Sequence, residues 1–433
     1  MRLFSCHSCE HILFFENGSC MNCRSPVAYS PEAVDFISLP PGSDEPGAAF
    51  EMVMPGGKSQ SFRRCKNFDA EGVCNWLALV DDDEPYCLSC RLSEMIPDLS
   101  NAANRTAWVD IERAKRRLLY TLFALKLPVA SKEKEPDSGL AFRLLRGTEK
   151  EPVLTGHDEG VITLNVAEAD AVYRENAREK MGEAYRTVLG HLRHEIGHYY
   201  WDRLVRDSAM LEPFRALFGD ERASYEESLK RHYEQGPPAN WAESFISAYA
   251  TMHPWEDWAE TWAHYLHMID TLETAKSHGL TLRTLGAKSG EQVVTNTLEF
   301  RDFESLSAGW HVVTLALNNL SRSMGLKDVY PFVVSPLVQQ KLRFVHDLIQ
   351  HPPARVAAAA KPPAKLATPA AADTNAAAAS NAAATNAAAA SNAAATNAAA
   401  ASNAAATNAA AANAAAATNA AAAAQAAATA TNA

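Results

Sequence analysis

The spacing of apolar residues divides the middle of the chain into helices and short strands. Apolar positions recur at helical spacing over 107–127, whereas the short apolar runs at 140–145 and 161–165 are typical of strands. The glycine-bounded segment 156–160 separates Val153-Leu154 from the second run, which indicates a hairpin or a small sheet. Long helical patterns follow. The chain therefore predicts an α+β domain over residues 100–351 that is mainly helical and contains a small sheet.

The composition changes abruptly after this domain. Residues 352–433 begin with proline pairs among alanines and continue, from Thr374, as a repeat of alanine, asparagine, threonine and serine without a charged or aromatic side chain. Such a segment has almost nothing large to bury and cannot form a core of its own. We predict a linker and a low-complexity tail, disordered or transiently helical, without a catalytic role.

All eight cysteines precede position 91 and mark an N-terminal module, predicted over residues 1–95. The first set consists of two CxxC pairs separated by ten residues, Cys6 with Cys9 and Cys20 with Cys23. The second set, in which only the last pair has CxxC spacing, is Cys65, Cys74, Cys87 and Cys90. Four thiolates can close a tetrahedral shell around zinc and leave no open coordination position. The module is therefore predicted to be a zinc ribbon with two structural zinc ions.

The net charge and the lack of a recognisable export signal argue against several classes of function. The formal net charge of −11 disfavours nucleic acid as a partner, because phosphate backbones call for a basic face. We find neither a signal peptide nor an apolar stretch long enough to cross a bilayer, which predicts a reducing, cytoplasmic location without a membrane role. The acidic residues 81–84 near the second cysteine set favour a protein partner for the ribbons.

The motif HExxH occurs once in a predicted helical segment, as His194-Glu195-Ile196-Gly197-His198. On a helix the two histidines lie one turn apart on the same face, so both imidazoles can reach one zinc ion. Glu195 then lies beside the open coordination position and can act as general base. The motif predicts a catalytic zinc site, whereas the alternative is a pair of helix histidines that form no site.

A third ligand must come from elsewhere, because Trp201 and Leu204 occupy the positions of the metzincin extension. The segment from Pro254 carries an apolar stripe of tryptophans that we assign to the core, and an opposite polar side. From the residues alone, any of Glu256, Glu260 and His264 could point at a metal. The local sequence Glu260-Thr-Trp-Ala resembles the third-ligand pattern of gluzincin aminopeptidases, which favours Glu260. Glu243 begins a competing copy of that pattern.

The remaining polar residues of this region have supporting roles in the prediction. Glu256 and Asp257 are candidates to orient a ligand histidine by hydrogen bonding. Tyr249, His253, His264 and Tyr265 are available to stabilise an oxyanion, and the sequence does not choose among them.

Three long motifs carry a family resemblance. They are RHEIGHYYWDRL from Arg193, HPWEDWAETWAHYLH from His253 and DVYPFVVSPLVQQKLRFVHDLI from Asp328. With them the chain resembles a bacterial family of zinc-binding metallopeptidases that carry an N-terminal zinc ribbon, over roughly Met1 to His351. The resemblance implies a zincin-like, gluzincin-like hydrolase.

Taken together, the sequence predicts a zinc-dependent metallopeptidase with one catalytic and two structural zinc ions. His194, His198 and Glu260 hold the catalytic ion, Glu195 is the base, and the substrate is a peptide or protein. The alternative is a protein-binding scaffold in which the ribbons recognise a partner and the HExxH domain is not a peptidase. A zinc hydrolase of non-peptide amides also stays open.

Overall fold

A computed structural model of the chain describes residues 1–43, 45–54, 57–80, 84–148, 150–181, 183–282 and 302–353. The predicted low-complexity tail, except for its first two residues, and the acidic residues 81–83 lie outside the described residues. The described elements are, in chain order, β1 Phe4–Ser5, β2 Ile12–Leu13, β3 Val27–Ser30, β4 Asp35–Ser38, β5 Ala49–Val53, β6 Ser59–Arg64, α1 Lys66–Asp69, β7 Leu77–Leu79, α2 Leu88–Arg91, β8 Ser93–Met95, α3 Ala102–Ala124, β9 Ala141–Leu145, β10 Gly156–Asp158, β11 Val161–Asn165, α4 Ala171–Met181, α5 Val188–Leu204, α6 Leu211–Phe218, α7 Tyr225–Gln235, α8 Pro254–Ser277, α9 Phe303–Ser323 and α10 Pro336–Gln350.

Small antiparallel sheets build the N-terminal part of the chain. Strands β1 and β2 pair with each other, β3 pairs with β4, and β5, β6 and β7 form a third sheet. A fourth sheet has the order β10-β11-β9-β8, in which β9 pairs in parallel with both β8 and β11. Because β8 follows the last cysteine and β9 follows α3, this sheet joins the cysteine-bearing region to the helical region.

The predicted hairpin is confirmed, with a shift of its first strand. Strand β10 pairs antiparallel with β11 from Gly156 to Asp158, so the strand begins at Gly156 and not at residue 153. The turn between the strands is Glu159-Gly160, and both residues have positive φ, 44° and 86°. A two-residue turn of this kind matches the twist of the strands, and the glycine adopts its φ without a steric penalty.

Helices α5 and α8 are the centre of the helical region. Helix α5 begins at Val188, where the side chain of Thr187 accepts the Gly190 amide at 2.9 Å. Helix α8 begins at Pro254, a favoured first-turn residue, and buries Trp258 and Trp262 completely. The tryptophans assigned to the core from their spacing are therefore confirmed as core at these two positions.

One hydrophobic core extends from the cysteine-bearing sheets into the helices. Tyr120 of α3 lies between the two regions, with ring centroids 5.9 Å from Phe4, 5.6 Å from Phe15 and 6.2 Å from Tyr29. Residues of both regions belong to the same buried cluster. The predicted α+β class is confirmed, while the boundary between residues 95 and 100 stays a prediction because the core does not separate there. Among the described residues, we find no helix long and apolar enough to cross a membrane.

Candidate metal centres

The first four cysteines converge in two matching knuckles. In each knuckle the backbone turns back on its first cysteine: the Glu10 amide donates to the Cys6 carbonyl at 2.7 Å and the Arg24 amide to the Cys20 carbonyl at 3.0 Å. The Sγ atoms of Cys6 and Cys23, and of Cys9 and Cys20, lie 3.6 Å apart. Thiolates bound to one zinc ion stand roughly 3.8 Å apart, whereas bonded sulfurs would be about 2 Å apart. The cluster has the dimensions of a four-thiolate zinc site.

The second set of cysteines forms an equally compact cluster that is fully buried. Cys65, Cys74, Cys87 and Cys90 offer Sγ atoms within 4.8 Å of one another, and the Sγ atoms of Cys74 and Cys87 are 3.6 Å apart. Backbone amides point at the sulfurs, since the Cys87 amide donates to Cys65 at 3.3 Å. Such bonds favour the thiolate form that zinc requires. Both predicted four-cysteine clusters are present.

The two histidines of HExxH lie on α5 and face the first turns of α8. Helix α5 can approach α8 closely because Gly197 has no side chain: a Cβ there would stand 3.0 Å from the Ala259 Cα. The Gly197 carbonyl also accepts a hydrogen bond from Trp258 Nε1 at 2.8 Å. The close packing brings His194 and His198 within reach of acidic residues on α8.

Glu256, and not Glu260, converges with both histidines. The Nε2 atom of His194 lies 2.9 Å from Glu256 Oε2, and the Nε2 atom of His198 lies 3.5 Å from Glu256 Oε1. The three residues form one group whose ligand atoms all lie within 4.8 Å of one another. Nitrogen and oxygen ligands of a tetrahedral zinc ion stand roughly 3.4 Å apart, so this group has the size of a zinc site.

Glu260 occupies the opposite side of the His194 ring. Its Oε1 atom lies 2.7 Å from His194 Nδ1, and its Oε2 atom accepts the Ser247 hydroxyl at 2.6 Å. A carboxylate at Nδ1 fixes the tautomer and leaves the Nε2 lone pair for a metal. The geometry therefore brings Glu256 to the Nε2 atoms of both histidines and Glu260 to the Nδ1 side of His194, because Glu260 lies one helical turn beyond the point where α8 meets this face of α5.

The sequence carries the same signal at Glu256 as at Glu260. The pattern Glu-x-aromatic-Ala that favoured Glu260 also occurs one turn earlier, as Glu256-Asp-Trp-Ala259. The pattern alone cannot decide between two consecutive copies, at 256–259 and 260–263. The competing copy at Glu243 does not belong to the group, because Glu243 lies in a 3₁₀ turn and is exposed.

Two buried acceptors face each other in this group. In its neutral form, the state that binds a metal ion, His194 donates Nδ1–H to Glu260, and its Nε2 is then an acceptor 2.9 Å from Glu256 Oε2. Within the described part of the chain, Glu256 Oε2 is buried and has no hydrogen-bond donor when His194 is neutral. Unsatisfied buried polar atoms are rare in folded proteins and need a reason. A cation between the acceptors would supply it, so these residues fit a bound metal ion.

The pKa shifts of the site residues also favour a positive charge in this group. Burial by itself would lower the pKa of His194, but hydrogen bonds and charge from Glu256 and Glu260 outweigh it and raise that pKa well above its usual value. Burial would raise the pKa of Glu256, yet His198 and His194 hold it well below its usual range. Glu256 and Glu260 thus both stabilise a positive charge beside His194. Burial also raises the pKa of Glu195, which is 8% exposed between the two histidines, and the histidines oppose that shift.

The structure places the other predicted site residues as follows. Asp257 pairs with Lys341 Nζ of α10 at 2.6 Å, and both residues are buried. His264 is buried with Nδ1 2.7 Å from the Tyr330 hydroxyl. His253 caps α8, accepting the Trp255 amide at 3.1 Å on Nδ1. The structure thus gives each of these three residues a contact outside the metal-binding group, and their predicted roles at the site stay predictions.

Two tyrosines contact residues of the metal-binding group. The predicted candidate Tyr249 lies near the ligands, with its ring centroid 6.0 Å from that of His194. Tyr225, which the sequence analysis did not single out, donates its hydroxyl to Glu256 Oε1 at 3.0 Å. Tyr225 lies in a polar helix far from the motifs in sequence, so only the fold could reveal it. The other oxyanion candidate, Tyr265, contacts His346 Nδ1 at 3.0 Å in the core.

Comparison with known proteins gives family matches and uncharacterized relatives. Residues 104–348 match the model of a family described as "Putative zinc-binding metallo-peptidase", and residues 3–101 match a zinc-ribbon domain. Uncharacterized proteins of Mycobacterium bovis and of Mycobacterium tuberculosis are 41% identical over 350 residues, which cover 81% of this chain and 95% of theirs. No solved structure matches the chain.

Proposed function

The chain belongs to the zinc-binding metallo-peptidase family, with a zinc-ribbon domain at its N-terminus, and from that premise we propose that it hydrolyses peptide bonds. The observation that carries the proposal is the group of His194, His198 and Glu256, with Glu195 beside it. Three protein ligands are what a catalytic zinc ion normally has, since the fourth position is kept for water or substrate.

Each residue has a defined task in this proposal. His194, His198 and Glu256 would hold a zinc ion, which would act as a Lewis acid on the scissile carbonyl and would lower the pKa of bound water. Glu195 takes the proton from the attacking water and delivers it to the leaving nitrogen. Glu260 accepts Nδ1–H of His194 and keeps the ring in the ligand tautomer, while Ser247 holds Glu260 in place.

The cysteine clusters have a different task. We assign one structural zinc ion to each, because four thiolates leave no position for a substrate. The peptidase then holds three zinc ions, one per group. A reducing compartment such as the cytoplasm suits eight free thiols, and a protein partner for the ribbons is part of the same proposal.

The first experiment tests the base. Glu195→Gln is expected to keep all three zinc ions and to lose about 10²–10⁴-fold in turnover, measured on unfolded-protein and peptide substrates. A Glu195→Gln variant that turns over substrate as fast as wild type would exclude Glu195 as the general base. A wild type that is inactive on every substrate, and retains only two zinc ions after purification, would support the scaffold alternative.

The second experiment separates the two glutamates by zinc content. Glu256→Gln removes a charged ligand and is expected to leave two zinc ions per chain, those of the cysteine clusters. Glu260→Gln keeps the ligand set and is expected to weaken catalytic zinc affinity by about 10–100-fold, as loss of a ligand-orienting group does. The reverse order of zinc loss would restore Glu260 as the ligand and refute the assignment to Glu256.

A further inference from the structure

Tyr225 extends its hydroxyl to the proposed ligand group from a separate element. It is the first residue of α7, and its hydroxyl donates to Glu256 Oε1 at 3.0 Å. The same oxygen lies 3.5 Å from His198 Nε2. The phenol is therefore a hydrogen-bond donor at the edge of the proposed metal site. Its side chain is 40% exposed, so it borders the solvent from which a substrate would enter.

The position of Tyr225 is fixed by the cap of α8. His253 accepts the Trp255 amide on Nδ1, and its Nε2 donates to the Ala223 carbonyl at 3.0 Å. The ring of Tyr225 packs on that of His253, with centroids 5.4 Å apart. Because Trp255 adjoins Glu256 and Ala223 lies just before α7, one imidazole fixes both the carboxylate and the phenol.

A second tyrosine completes a chain of donors. The hydroxyls of Tyr225 and Tyr249 are hydrogen-bonded. Since the proton of Tyr225 is directed at Glu256, Tyr249 must be the donor in this pair. A phenol that accepts one hydrogen bond donates more strongly in its own, because neighbouring bonds polarise each other. Tyr249 is thus placed to strengthen Tyr225 as a donor.

The other candidates for this task have structural partners. His253 uses both ring nitrogens in the cap, and the Tyr265 hydroxyl contacts His346 in the core. His264 is buried against the Tyr330 hydroxyl. Among the oxyanion candidates and neighbours described above, Tyr225 combines contact with the proposed ligand group and exposure to solvent.

We propose that Tyr225 is a catalytic residue that turns its hydroxyl proton from Glu256 Oε1 to the scissile carbonyl oxygen as that oxygen becomes negative, with His253 and Tyr249 as positioning residues. The inference rests on the proposed function. In the step concerned, the water oxygen bonds to the carbonyl carbon, the π electrons move onto the carbonyl oxygen, and Glu195 takes the water proton. When the C–N bond then breaks, the proton passes from Glu195 to the nitrogen, and Tyr225 keeps its own proton throughout.

The test compares Tyr225→Phe with Tyr173→Phe, a control of nearly equal exposure on α4, 41% against 40%. Removing one oxyanion donor costs about 10²–10³ in kcat. We expect that loss for Tyr225→Phe, with KM changed by less than about threefold and zinc content unchanged, and no loss for the control.

Inhibitor binding distinguishes a catalytic role from a structural one. A phosphinic peptide imitates the tetrahedral oxyanion, whereas a thiol peptide only ligates the metal, so Tyr225→Phe is expected to weaken the first about 100-fold and leave the second unchanged. His253→Asn keeps a side chain that can cap α8 but loses the hydrogen bond to the Ala223 carbonyl. We expect it to lower kcat when it is introduced into the wild-type protein and to have no further effect when it is added to the Tyr225→Phe variant.

The outcomes separate the two proposals. An inactive wild type that binds neither inhibitor overturns the proposed peptidase function. An active wild type whose Tyr225→Phe variant keeps kcat within about threefold, or loses both inhibitors equally, overturns the role of Tyr225 alone and leaves the peptidase function standing.

Discussion

The close approach of α5 and α8 at Gly197 allows a direct test of whether helix packing sets the position of the site. A Cβ at residue 197 would lie 3.0 Å from Ala259 Cα, 3.1 Å from Trp262 Cβ and 3.3 Å from the Ala259 carbonyl oxygen. Ordinary carbon contacts are about 3.5–4.0 Å, so Gly197→Ala must push the helices apart by roughly 0.5 Å. Two of the obstructing atoms are backbone, so they cannot move aside by rotating a side chain.

The expected change in stability follows from two opposing effects. Alanine has a higher helix propensity than glycine by about 1 kcal/mol, which favours the variant. Overpacking of a well-packed core costs about 1–3 kcal/mol, which opposes it. We expect a net loss of up to about 2 kcal/mol in the free energy of unfolding. Zinc affinity should fall as well, because Glu256 lies on the same face of α8 as Ala259, one turn earlier.

Gly190→Ala is the matched control on the same helix. A Cβ there would meet Tyr185 Cε1 at 3.0 Å and Thr187 Oγ1 at 3.1 Å, which are side-chain atoms, not the backbone of a neighbouring helix. We expect this variant to lie within about 1 kcal/mol of wild type. Urea unfolding of the zinc-loaded protein and chelator competition measure both quantities. If the two variants match in stability and zinc affinity, the close helix contact is not what sets the site.

Two further predictions concern buried charges. Lys341→Met leaves Asp257 buried without its ion pair and is expected to lower the free energy of unfolding in urea by about 3–5 kcal/mol. The double variant Lys341→Met/Asp257→Leu should recover most of that loss, because no unpaired charge is left buried. A double variant as unstable as the single one would contradict this expectation. Burial lowers the pKa of His264 to about 4, so the folded state resists a proton that the unfolded chain accepts below about 6.5. Stability should therefore fall as the pH drops from about 6.5 to 4, by about 3 kcal/mol more in wild type than in His264→Gln, and equal pH slopes for the two proteins would refute the assignment.

The sequence by itself determined the features that depend on local spacing. CxxC spacing places two thiolates on one knuckle, and HExxH places two imidazoles one helical turn apart, whatever the rest of the chain does. The α+β class followed from apolar periodicity for the same reason, because periods of two and of about 3.6 are properties of the local backbone. The low content of large side chains in the tail predicts that it does not contribute to the core, and that prediction lies outside the described residues.

Only the tertiary structure decided which acidic residue meets the histidines. Glu256 and Glu260 lie one turn apart on α8, so a shift of α8 along α5 by that turn would exchange them, and the contact at Gly197 fixes the shift. The partner of Asp257 is 84 residues away, and Tyr225 arrives from a separate helix held by His253. Such pairings depend on how distant segments pack, and periodicity along one segment carries no information about its neighbour.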